Sequence, residues 1–203
     1  MKYFVSLLLC LVTFSLYAEV PSVEKWDRFE VTLEGPKSGN PFKDVLVSAD
    51  FTNVEKTITV TGFYDGNGKY KVRFMPSEIG VWNYKTKSNI KDLDNVTGSF
   101  NCITPSHDNH GPVKVRHKFH FGYADGTPYW QVGTTCYAWV HQTEELQLQT
   151  LETLKSSPFN KIRMCVFPKD YVYNKNEPPY YPFPRDEAGK NDFTKFNPEF
   201  FFC

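Results

Sequence analysis

The sequence predicts two unlike parts: an immunoglobulin-like β-sandwich over residues 19–104 and, from residue 113 to 203, the opening of a parallel α/β domain. Three observations carry this. Residues 23–104 alternate apolar and polar side chains in short runs parted by turn signals, with no helical periodicity. Residues 105–112, Pro105-Ser-His-Asp-Asn-His-Gly-Pro112, are polar and bounded by prolines, as connectors are. Residues 129–168 then read as strand, loop, helix, strand, a βαβ unit whose two parallel strands need further strands and covering helices to bury their faces.

The chain begins with Met1-Lys2, an apolar run over 3–17 and the small residue Ala18. This is the pattern of a secretory signal peptide at 1–18, so a secreted or periplasmic location is expected. The run is shorter than the roughly 18–20 apolar residues of a spanning helix, and no membrane span is expected after cleavage. Hydrophobic content of 40% with 17% aromatics is that of a globular chain. The formal charge is zero, and removing the leader with Lys2 leaves a slight acidic excess. With no basic stripe, nucleic acid is not an expected partner. Cys102, Cys136, Cys165 and Cys203 come after the leader in no zinc or CxxC spacing. Cys136 and Cys165 fall on neighbouring predicted strands, where two buried free thiols are favoured over a bridge because disulfide geometry is demanding. No metal or cofactor is expected.

Within the first part, strands are predicted at 26–33, 45–51, 56–64, 69–75, 81–86 and 98–103, with Asp65-Gly-Asn-Gly68 as a hairpin turn. His107 and His110 lie three apart in the connector, which is expected to be solvated. A protease is expected to trim the chain back to it. In the second part, Asp125-Gly126 suggests a hairpin. Thr143 has the chemistry of an N-cap with Glu144 and Glu145 behind it, and Leu148, Leu151 and Leu154 form an apolar stripe on a helix ended by Pro158. Residues 161–167 are a nearly continuous apolar strand. Asn197-Pro198-Glu199 starts a further helix just before the chain stops.

Tyr137, Trp139 and His141 fall at or beyond the C-terminal end of the first parallel strand, where active sites form in α/β barrels. Aromatic rings there suit the C–H faces of a sugar, and His141 can hydrogen-bond its hydroxyls. The alternative is that the rings cap a core. Arg163 interrupts an apolar strand, where a charge needs a partner, either a substrate oxygen or a structural carboxylate. Tyr171, Tyr173, Tyr180, Tyr181 and Phe183, set among prolines, could wall a cleft or pack on the surface. Asn176-Glu177-Pro178 matches a glycosidase acid/base context but comes directly after no apolar strand, and glycoside cleavage needs two carboxylates.

Trp26-Asp-Arg-Phe-Glu, Phe63-Tyr-Asp-Gly and Arg73-Phe-Met-Pro-Ser-Glu-Ile-Gly-Val-Trp-Asn-Tyr resemble the uncharacterised β-sandwich domain found ahead of bacterial glycosidase barrels. Phe121-Gly-Tyr-Ala-Asp-Gly-Thr-Pro-Tyr-Trp, Gly133-Thr-Thr-Cys-Tyr-Ala-Trp and Asn160-Lys-Ile-Arg-Met-Cys-Val-Phe-Pro resemble the start of the apiosidase-like (β/α)8 TIM barrel, a relative of the large retaining glycosidase clan. The resemblance implies a secreted bacterial glycoside hydrolase acting on plant or host polysaccharide, with an incomplete barrel. In that clan an arginine of the second strand supports the nucleophile, and Arg163 matches it. The acid/base and nucleophile of the clan would lie beyond Cys203. The partner implied is a polysaccharide or oligosaccharide, and Tyr137, Trp139, His141 and Arg163 are the substrate-binding candidates. The alternative is a non-catalytic carbohydrate-binding or interaction module.

Overall fold

A computed structural model of the chain describes residues 20–54, 56–165, 172 and 175–201. The leader, Cys203, Phe167, Tyr171 and Tyr173 lie outside them. The first four strands are β1 (Ser22–Glu24), β2 (Phe29–Glu34), β3 (Val47–Thr52) and β4 (Thr57–Thr61), with the short helix α1 (Pro41–Asp44) before β3. Next come β5 (Phe63–Tyr64), β6 (Lys69–Phe74), β7 (Gly80–Ser88) and β8 (Thr97–Ile103). One sheet has the order β1-β8-β7-β3-β4, with β1 parallel to β8, and the other has the order β2-β6-β5.

Alternation explains the packing of these two sheets into a sandwich. Val47, Ala49 and Phe51 of β3 point inward between the more exposed Ser48, Asp50 and Thr52, as a pleated strand requires. They meet Val31 and Leu33 of β2 and Tyr70, Val72 and Phe74 of β6 in one buried cluster that also holds Trp82 and Phe100. Aromatic rings fill its centre. Phe51 stacks on Phe74 at 4.2 Å and Phe29 on Phe100 at 3.9 Å between centroids. Two buried polar side chains of this cluster region are satisfied: the Trp82 indole donates to the Glu78 carbonyl (2.9 Å), and the Thr86 hydroxyl donates to Leu93 O (2.6 Å) while accepting from Val96 N (2.9 Å).

The stretch 56–64, expected as one strand, is two. It leaves the first sheet at Thr61 and enters the second at Phe63, crossing at Gly62. A Cβ on Gly62 would lie 2.7 Å from the Lys71 carbonyl and 2.8 Å from a Val47 methyl, so the crossing backbone has room for glycine alone. Trp26, expected within a strand, occupies a turn with φ of +71°. Its amide is held by Pro76 O (2.8 Å), and β2 begins only at Phe29.

The connector is not merely solvated. Glu24 Oε2 accepts hydrogen bonds from Ser106 N (3.0 Å), Ser106 Oγ (3.0 Å) and Asn109 Nδ2 (3.2 Å), which hold 106–109 against the edge strand β1. At its far end His110 Nδ1 pairs with Asp125 Oδ2 (2.7 Å).

Beyond the connector, β9 (Val113–Arg116) and β10 (His120–Tyr123) form a hairpin, and β11 (Gly133–Thr135) pairs in parallel with β12 (Lys161–Arg163). The helix α2 (Glu144–Lys155) joins that pair, and α3 (Pro198–Phe201) is one turn. Thr143 caps α2 through Leu146 N, and Asn197 Oδ1 accepts from Glu199 N, as the sequence suggests.

The expected opening of a (β/α)8 TIM barrel is overturned. Among the described residues the strands are arranged in small sheets, and α2 is the one helix longer than four residues, so there is no ring of barrel helices. The physical reason lies in the burial. β11 and β12 are three residues each, every residue of β12 is exposed, and within the described part of the apolar run 161–167 the strand ends at Arg163. The leucine stripe of α2 also faces outward, with Leu148 56% exposed, while Gln147 is buried. The organised core is that of the sandwich.

Candidate functional site

The candidate residues sit around the β11–β12 pair. Its ladder continues past the strands: Cys136 N donates to Arg163 O (2.8 Å) and Cys165 N to Tyr137 O (3.0 Å). Tyr137 is thereby drawn beside the end of β12. The Arg163 guanidinium lies over its ring at 5.1 Å from the centroid. A cation–π pair this exposed contributes about 0.5–1 kcal/mol. Arg163 is an exposed residue, not one projecting from a buried strand. Cys136 and Cys165 are both thiols rather than a disulfide, and each is half-buried.

Trp139 and His141 form a 3₁₀ turn, Trp139–His141, between β11 and α2. The half-buried Trp139 indole is tied to α2, its Nε1 donating to Gln147 O (3.1 Å). His141 is buried, at 3% exposure. The structure thus brings Tyr137 and Arg163 together, ties Trp139 to the helix and buries His141.

Gln147 is the residue that sequence reasoning missed here. Its side-chain amide donates to Gln142 O (2.8 Å) and its backbone carbonyl receives the Trp139 indole, so it fixes the turn that presents Tyr137. A polar residue inside a leucine-rich helix was the available signal.

Glu177 is exposed, and its carboxylate accepts from the Tyr181 hydroxyl, which pushes the Tyr181 pKa upward. Arg185 covers that tyrosine ring at 3.4 Å. Phe183 of the aromatic loop packs on the sandwich, as does Phe196 after it: Phe42 of α1 meets Phe183 at 6.4 Å and Phe196 at 6.1 Å, edge to face. Of the two roles open to this loop, Phe183 takes the surface-packing one.

A flat ring beside a guanidinium can stack on and hydrogen-bond an uncharged polyol. No group of three or more His, Cys, Asp or Glu side chains placed to hold a metal ion occurs among the described residues. Nor is any helix among them long and apolar enough to cross a membrane.

Comparison with known proteins places this geometry in context. No curated protein matches the chain. The crystal structure of a putative glycoside hydrolase from Bacteroides vulgatus ATCC 8482 is similar over 90% of this chain, with 44% sequence identity and a TM-score of 0.82. This chain spans 37% of that protein's length. Residues 22–89, the greater part of the sandwich, match a domain of unknown function, DUF5060.

Proposed function

We propose that this chain is the carbohydrate-engaging part of a secreted, glycoside hydrolase-like protein of the apiosidase-like type that acts on plant or host polysaccharide. The observation that carries the reading is the 44% identity to the Bacteroides glycoside hydrolase over nearly the whole chain. The pair of half-buried Tyr137 and exposed Arg163 supports it with a surface suited to neutral sugars. Export rests on the leader at 1–18.

On its own the chain recognises glycan without cleaving it. Hydrolysis needs two carboxylates, about 5–5.5 Å apart for retention or 6.5–9.5 Å for inversion. Glu177, the carboxylate with a suggestive sequence context, is engaged by Tyr181 instead. Purified chain incubated with xylan, arabinan, galactomannan and pectin should release no reducing sugar yet be retained by at least one of them. Release that survives purification and tracks the protein through chromatography would overturn the non-catalytic half of this reading. Absence of retention on every polymer would overturn the carbohydrate half.

A further inference from the structure

We infer that the hairpin β9–β10 and the segment 128–131 form a second glycan-binding site, separate from the Tyr137–Arg163 pair, that stacks a neutral pyranose on Trp130 and Phe119. The inference rests on the carbohydrate reading above and gives it a further place on the molecule. These residues line a cleft of about 420 Å³, within the range of small-molecule sites. Phe119 is 86% and Trp130 78% exposed, and Phe121 is also largely solvent-facing. Three rings so presented cost free energy in water unless something covers them.

The frame beneath the rings is fixed. Asn160 Nδ2 donates to Trp130 O (2.6 Å), and Asn160 Oδ1 accepts from Val132 N (3.2 Å) and the Tyr129 hydroxyl (3.3 Å). Tyr129 N in turn reaches Phe121 O (3.4 Å), tying the segment to β10. The hairpin turn is formed by His117 and Lys118, both at positive φ. A ligand would therefore meet rings on a backbone ordered in advance, which lowers the entropy cost of binding.

The lining chemistry selects the ligand class. No carboxylate lines the cleft among the described residues, so they offer no counter-charge for a cationic ligand. Arg116, the permanent cation among them, donates to Gly126 O at 2.5 Å, which fixes its guanidinium against the 125–126 turn. His120 and Gln131 add hydrogen-bonding side chains to the lining. Apolar ring faces with equatorial hydroxyls at the edge, the anatomy of a neutral pyranose, match that arrangement.

The test is native affinity electrophoresis of the full chain in gels cast with xylan, galactomannan or the anionic polygalacturonate. The W130A and R163A variants are run beside the wild type. Trp130 is exposed, so thermal unfolding should be unchanged in W130A, and R163A should lower it only by the loss of its contact with the Tyr137 ring. Retention by a neutral polymer should weaken about tenfold or more in W130A, the loss expected of a binding hot spot. It should fall less in R163A than in W130A, and polygalacturonate should retain the wild type less than the neutral polymers do. Retention abolished by R163A but untouched by W130A would overturn this site while leaving the carbohydrate reading intact. No retention of the wild type would overturn both. A W130A-sensitive dimer in sedimentation, with no glycan effect, would overturn the glycan site by assigning the cleft to a second copy of the chain.

Discussion

Gly62 divides one continuous alternating run between two sheets, and the space around it explains why. Any side chain would press on the Lys71 carbonyl and on Val47 and Val72, which are backbone and packed core. G62A should therefore destabilise the sandwich by about 1–3 kcal/mol, the usual cost of overpacking. The readout is a lower urea midpoint. An unchanged midpoint would mean that the strand does not cross between the sheets at this position. Gly66 has a related role. Its φ is +85°, and a Cβ there would lie 2.3 Å from the Phe196 ring, so the hairpin tip doubles as the seat of the C-terminal aromatic segment.

Among the elements, the connector is one whose behaviour the sequence misjudged. Its Pro, Ser, Asn and Gly content is that of a loop, and the three hydrogen bonds converging on Glu24 reach a residue some eighty positions earlier. Composition carries no trace of such a partner. The backbone amide of Ser106 is the main reason the Glu24 carboxyl titrates below its ordinary range, with Asn109 and the Ser106 hydroxyl adding to it. A carboxyl whose folded pKa is depressed contributes stability that is full above its unfolded pKa, about 4.3, and is lost as pH falls through the folded value. The connector should accordingly stay pinned near neutrality and loosen below pH about 4. The Ser106 amide resonance, followed by NMR over that range, should shift as the bond is lost, and E24Q should remove the titration. A Ser106 amide insensitive to both pH and E24Q would show that the connector is not pinned there.

Helix starts and the alternating strands of the sandwich were legible because their causes are local. Thr143 caps α2, Asn197 caps α3, and the inward residues of β3, β6 and β7 recur at regular spacing along each strand. The short extent of β11 and β12 was not legible. Ile162, Met164 and Cys165 are apolar enough for a buried strand, but the strands end with the register Gly133↔Lys161 to Thr135↔Arg163, and past it the pair is held by the bonds from Cys136 N to Arg163 O and Cys165 N to Tyr137 O. The candidate site was half legible for the same reason. Residue type identified Tyr137 and Arg163, whereas the turn that sends Trp139 and His141 inward depends on the hydrogen bond from the Trp139 indole to Gln147 O in α2.

The molecule has a sandwich with a buried aromatic core and a second region that carries its most exposed rings among the described residues, joined by a pinned connector and by Phe183 and Phe196 packed against Phe42. That division suits recognition: the rigid body fixes the geometry, and aromatic side chains face solvent at Phe119, Phe121 and Trp130. The central claim is that this surface engages neutral carbohydrate. Saturation-transfer difference NMR of the intact chain with a mixture of xylohexaose and mannohexaose tests it most directly. Saturation of sugar ring protons by the protein is expected, strongest on one pyranose face and clearly reduced in W130A. No transfer to either oligosaccharide at millimolar concentration would contradict it.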